Sequence, residues 1–126
     1  MQIYLVDDDS EEAELFDEAI DRIDESIEVV WRNDVMEALE ELMGADRQPD
    51  VLFLDLNIPR VSGKQLLQLL RNNKQTKDIP IVIYSTSISK KDIEDTQPYG
   101  VKAFVQKPES FSVLVERLRD VLEIDN

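Results

Sequence analysis

Three short runs of this chain, residues 3–6 (IYLV), 51–54 (VLFL) and 81–84 (IVIY), are apolar at every position. A strand with one solvated face alternates apolar and polar residues. Unbroken runs rich in β-branched and aromatic residues instead suit strands buried on both faces, the pattern of a parallel sheet covered by helices. With two weaker candidates added, strands are expected over residues 2–6, 28–32, 51–56, 79–85 and 103–106.

Helical patterns fill the gaps. Leu15, Phe16, Ala19, Ile20 and Ile23 share one face, behind Asp9-x-x-Glu12, a capping-box pattern. Asp34-x-x-Glu37 opens a second helix that buries Val35, Ala38, Leu39 and Leu42. A third, over about residues 62–73, carries Leu66, Leu67, Leu69 and Leu70. The last, over about 109–122, presents Phe111, Leu114, Val115, Leu118, Val121 and Leu122 at helical spacing. Between them, residues 89–97 offer only Ile93 and the flanking Ile88 for burial, and Pro98 stops continuation. That helix is expected to be short and loosely held.

Five βα units without repeats or linkers predict one doubly wound α/β domain with five helices. Its length suits the flavodoxin-like five-stranded parallel sheet, order 2-1-3-4-5. In such sheets ligands bind beyond the carboxyl ends of the strands, at the switch point between strands 1 and 3.

Polar residues fall on that rim. Asp7 and Asp8 follow strand 1, Asp55 ends strand 3, Ser85 ends strand 4, and Lys107 follows strand 5. The chain has no histidine and no cysteine, so any metal must be hard and oxygen-bound. Carboxylates crowded around a small gap raise one another's pKa unless a cation neutralises them, and Mg²⁺ is commonly shared between carboxylates and a phosphate. A lysine and a hydroxyl opposite can hold phosphoryl oxygens while one aspartate takes the group as an acyl phosphate. Asp9 is explained as a helix cap.

The four stretches "VDDD", "LDLNIPRVSG", "YST" and "FVQKP", in this order, resemble the receiver domain of two-component response regulators, chemotaxis-regulator type, over essentially the whole chain. The resemblance implies that Asp55 is the phosphorylation site and that Asp7 and Asp8 serve Mg²⁺. It adds the Asn57 main-chain carbonyl as a further metal ligand, Lys107 as the phosphoryl partner, Ser85 as switch hydroxyl and Phe104 as switch aromatic. It also implies a turn at Pro59 and Gly63 and a cis Lys107–Pro108 bond. Where the family more often has threonine and tyrosine, this chain has Ser85 and Phe104.

A haloacid dehalogenase-type hydrolase would need an acid two positions after the nucleophile, where Asn57 stands. A mononucleotide binder would need a hydroxyl- or glycine-rich loop after strand 1, where carboxylates would repel phosphate. The net charge of −14 excludes duplex DNA and anionic membranes as direct partners. The expectation is therefore one cytoplasmic receiver domain over residues 1–126, with no output domain after Leu122 and no enzymatic activity beyond its own phosphorylation and dephosphorylation. Its partners would be a sensor histidine kinase or histidine phosphotransfer protein and a downstream protein target. The surface read by that target would be residues 89–97, strand 5 and the start of the last helix, with Lys90, Lys91 and Lys102 as a basic patch.

Overall fold

The computed structural model describes residues 1–58 and 62–124. Five strands, β1 (Gln2–Val6), β2 (Glu28–Arg32), β3 (Val51–Leu54), β4 (Ile81–Ser85) and β5 (Ala103–Gln106), alternate with five helices. These are α1 (Ser10–Ile23), α2 (Val35–Gly44), α3 (Gly63–Arg71), α4 (Lys90–Thr96) and α5 (Phe111–Leu122), with a 3-10 turn at Gln97–Tyr99. All strand pairings are parallel, as the apolar runs implied, and the order is β2-β1-β3-β4-β5, as expected of a flavodoxin-like sheet.

Alternating side chains of each buried strand feed two separate cores. Ile3, Leu5, Phe53, Val82 and Tyr84 meet α1 and α5, whereas Tyr4, Val6, Leu52, Leu54, Ile81 and Ile83 meet α2 and α3. On the first face the rings of Phe16, Phe53 and Tyr84 meet edge to face, with centroids 5.0, 5.4 and 6.0 Å apart. Burial on both faces is what the unbroken apolar runs required.

Local departures from the sequence expectations have physical causes. β3 ends at Leu54 because the chain turns at Asp55, whose carboxylate accepts the Asn57 N–H at 2.9 Å. β4 starts at Ile81: Pro80 has no N–H to donate, and the Ile79 N–H is spent on Thr76 O. α3 stops at Arg71, two residues short of expectation, as the chain enters a turn in which Thr76 Oγ1 donates to Leu70 O. Leu15 and Leu69, expected in the cores, are 45% and 46% exposed because their neighbours Phe16 and Leu70 take the inward positions.

The capping box expected at Asp9 is half formed, and Asp34 likewise caps α2 with its side chain alone. Each carboxylate caps its helix, but the Asp9 N–H goes to Asp7 Oδ1 at 3.0 Å instead of to Glu12. Reciprocal boxes occur instead at Ser62–Gln65 and Ser89–Asp92. The Lys107–Pro108 bond is trans, against the expectation drawn from the resemblance; trans is the default at X–Pro bonds by about 0.5–1 kcal/mol. Pro59 lies outside the described residues.

Candidate functional site

The carboxyl end of β1 delivers Asp7 and Asp8, and the neighbouring β3 delivers Asp55. The three offer carboxylate oxygens within 4.8 Å of one another although 47 residues separate Asp8 from Asp55. Asp7 is fully buried and Asp55 is 6% exposed, while Asp8 faces solvent. Asp9 stays out of the cluster, its Oδ1 accepting the Glu11 and Glu12 N–H groups at 2.9 and 3.2 Å.

Lys107 reaches across from the end of β5. Its Nζ donates to Asp7 Oδ2 at 2.6 Å and to Asp55 Oδ2 at 3.1 Å, and lies 5.2 Å from the Tyr84 ring centroid. Burial works against the ammonium, but hydrogen bonds and charge from Asp7 and Asp55 outweigh it and hold its pKa above the ordinary lysine value. Burial also raises the Asp7 carboxyl above its usual range, and the Lys107 hydrogen bond offsets only part of this. A buried acid held in this state gains most from a cation placed beside it.

Ser85 Oγ, buried at the end of β4, donates to Asp55 Oδ1 at 3.1 Å and accepts from Asn57 Nδ2 at 2.9 Å. Ser85 and Lys107 thus address different oxygens of one carboxylate. Asn57, exposed at the rim, belongs to the site through its side chain, a role the sequence reading had not assigned. Phe104 sits on β5 beside Ile83, half-buried against the core that holds Ile88, Tyr99 and Val101.

Gly63 explains how the loop after β3 stays so close. A Cβ there would meet Asp55 O and come within 2.7 Å of Leu56 Cα, so only glycine lets α3 start against the end of β3. The donor set fits a hard divalent cation: clustered carboxylate oxygens with no nitrogen or sulfur ligand.

Some of the polar framework has no local signature. The Trp31 Nε1–H donates to Asp7 O at 2.7 Å. Arg71 at the end of α3 donates to the carbonyls of Lys77, Ile79, Tyr99 and Gly100, tying the loops at the far end of the sheet. Lys64 of α3 bridges to Asp92 and Asp95 of α4 at 2.8 and 3.0 Å. Lys91 of the expected basic patch sits 3.4 Å from Asp95 on its own helix, so part of that charge is already balanced.

The response regulator receiver domain model matches residues 3–119. The chain is 28% identical over 127 residues to a chemotaxis protein CheY homolog of Campylobacter jejuni, covering 97% of this chain and 92% of that protein. It is 29% identical over 125 residues to the probable methanogenesis regulatory protein FilR2 of Methanothrix harundinacea, covering 96% and 81%. The crystal structure of the phosphorylated cyanobacterial phytochrome response regulator RcpA superposes with a TM-score of 0.87 at 31% identity, over 97% of this chain and 91% of that one.

Proposed function

This chain belongs to the response-regulator receiver family, and from that premise we propose that it accepts a phosphoryl group on Asp55 in a Mg²⁺-dependent reaction. The donor is a sensor histidine kinase or a histidine phosphotransfer protein. The observation that carries this reading is the position of Asp55, between the Lys107 ammonium and the Ser85 hydroxyl and beside Asp7 and Asp8.

In the transfer, an Asp55 carboxylate oxygen attacks the phosphorus of a phosphohistidine. The O–P bond forms as the P–N bond breaks, and the bonding electrons leave with the imidazole nitrogen. Asp55 becomes an acyl phosphate. Lys107 turns from the carboxylate to the phosphoryl oxygens, and the Ser85 hydroxyl donates to one of them. Asp7, Asp8, Asp55 and the Asn57 carbonyl would hold Mg²⁺, which when bound offsets the charge crowding between carboxylates and phosphoryl oxygens. The protein transforms no other substrate and works as a cytoplasmic signalling partner. No helix among the described residues is long and apolar enough to cross a membrane.

Ser85 already touches Asp55, so phosphorylation exchanges its hydrogen bond to the carboxylate for one to a phosphoryl oxygen and moves the β4 end by a small step. Phe104 follows inward, and the face from β4 to α5, including α4, is what a downstream protein reads. Incubation with acetyl phosphate and Mg²⁺, followed by mass spectrometry, tests the assignment. The wild type gains one phosphoryl mass and Asp55→Asn gains none; an unchanged adduct in Asp55→Asn overturns it.

A further inference from the structure

Asp7 is gripped by its main chain as well as by its side chain. Its N–H donates to Arg32 O at 3.1 Å, and the carbonyl of the same peptide group, Val6 O, accepts the Asp55 N–H at 3.0 Å. The next peptide plane joins Asp7 to Asp8, and its carbonyl oxygen accepts the Trp31 indole N–H at 2.7 Å. Because a peptide group is planar, fixing its oxygen fixes the direction in which the chain enters Asp8. The ring that does this is the chain's one tryptophan, half-buried on the edge strand β2 between Val30 and Arg32. The β2 end is itself secured, since Arg32 Nε donates to the Glu41 carboxylate of α2 at 2.7 Å.

From this arrangement we infer that Trp31 is a positioning residue for the metal site: its indole N–H orients the Asp7–Asp8 peptide so that both carboxylates face Asp55. The Trp31 ring also packs against the core on the α1 side, and its N–H adds what no apolar ring could, the bond to Asp7 O. Val29, two residues earlier on the same face, contributes only apolar contact to the shallow groove it shares with Trp31 and α1. Asp7 and Asp8 are adjacent in sequence, and adjacent side chains point apart unless the backbone between them is constrained. The indole supplies that constraint from outside the loop, where it competes with neither carboxylate for the cation. Outer partners of this kind set how well metal ligands are aimed.

The inference rests on the proposed phospho-acceptor reading, and its test separates the two. Mg²⁺ affinity is measured by calorimetry on wild type, Asp8→Ala and Trp31→Phe, which keeps an aromatic ring but removes the N–H together with the rest of the five-membered ring; the denaturant midpoint of each variant shows what the lost packing alone does. Trp31→Phe is expected to weaken Mg²⁺ by about three- to tenfold, the scale of one neutral hydrogen bond. Its labelling by acetyl phosphate should slow at low Mg²⁺ and recover at saturating Mg²⁺. If Asp8→Ala loses Mg²⁺ but Trp31→Phe binds it like wild type, the positioning role is overturned and the functional reading stands. If wild type binds no Mg²⁺, both fall. Should Trp31→Phe not fold, the wild-type indole decides: an emission change that saturates at the calorimetric Mg²⁺ affinity supports the role, and an indifferent emission overturns it.

Discussion

The two helices that flank β5 are held by opposite means. α5 buries Leu114, Val115, Leu118 and Leu122 and packs along α1 in the core built around Phe16, Phe53 and Tyr84. α4 buries only Thr96, and even that side chain is engaged in a hydrogen bond to Asp92 O at 2.7 Å. Its hold is polar: the Ser89–Asp92 box at its start and the Lys64 bridges along its side. Apolar burial is indifferent to salt and pH and is lost only when the whole core opens. Polar ties at a surface are weak singly, respond to charge, and can be exchanged for others without unfolding the domain. Under the proposed phospho-acceptor reading, a helix held this way, following Ser85 in the chain, is the element suited to move.

The largest effect that separates the two helices is expected from truncating their central apolar residues. Leu118 is fully buried, so Leu118→Ala should cost about 2–5 kcal/mol of global stability, read from the denaturant midpoint. Ile93→Ala in α4, where the side chain is only half-buried, should move that midpoint far less and leave α5 protected from exchange. Equal losses from both would erase the distinction. A smaller contrast lies in the caps. The Ser89 hydroxyl accepts the Asp92 N–H at 3.0 Å and Asp92 answers with a bond to the Ser89 N–H at 2.9 Å, whereas Ser110 accepts the Val113 N–H at 3.5 Å. Ser89→Ala should therefore cost about 1 kcal/mol, seen as faster amide exchange confined to α4. Ser110→Ala should cost less.

The same division decides what could be read from the chain. β1, β2 and β5 matched their expected limits, whereas β3 and β4, two of the three unbroken apolar runs, are shortened by the turn at Asp55 and by Pro80. The order of the sheet was read from the match of a five-stranded chain of this length to the flavodoxin-like arrangement, and the structure has it. Asp7, Asp8, Asp55, Ser85 and Lys107 were legible because each stands at or just past the carboxyl end of a strand, and parallel strands bring those ends to one rim. The weak apolar content of α4 was legible too, but not what replaces it. Lys64, Asp92 and Asp95 carry no pattern that pairs them; they meet only because α3 and α4 pack on the same face. The Trp31 indole bond and the Asn57 amide bond to Ser85 likewise join residues far apart in sequence through a hydrogen bond no periodicity encodes. The cis bond at Pro108, taken from the resemblance, was the one backbone expectation at the site that the structure reversed.

The finest test concerns the sign of a charge effect on α4. Hydrogen bonds from Lys64 hold the Asp92 and Asp95 carboxyls below their ordinary range, and the same contacts raise Lys64. A group whose folded pKa is depressed contributes stability that is fully present above its unfolded pKa and fades as pH falls through the folded one. The Lys64 tie should therefore be intact at pH 7 and at pH 5. It should weaken only once pH drops below about 3.9, the ordinary aspartate value. Lys64 gives no loss on the alkaline side until pH exceeds its own raised value. Protection factors of the α4 amides, followed from pH 5 downward, should fall there ahead of those of α5, whose apolar contacts carry no such dependence. High salt at pH 7 should produce a milder version of the same loosening, since these bridges lie at the surface and are screened. In Lys64→Met the α4 amides should already exchange faster at pH 7 and lose most of both the salt and the acid sensitivity. If instead α4 and α5 lose protection together in every condition, the polar ties of α4 are incidental and the two helices answer to one core.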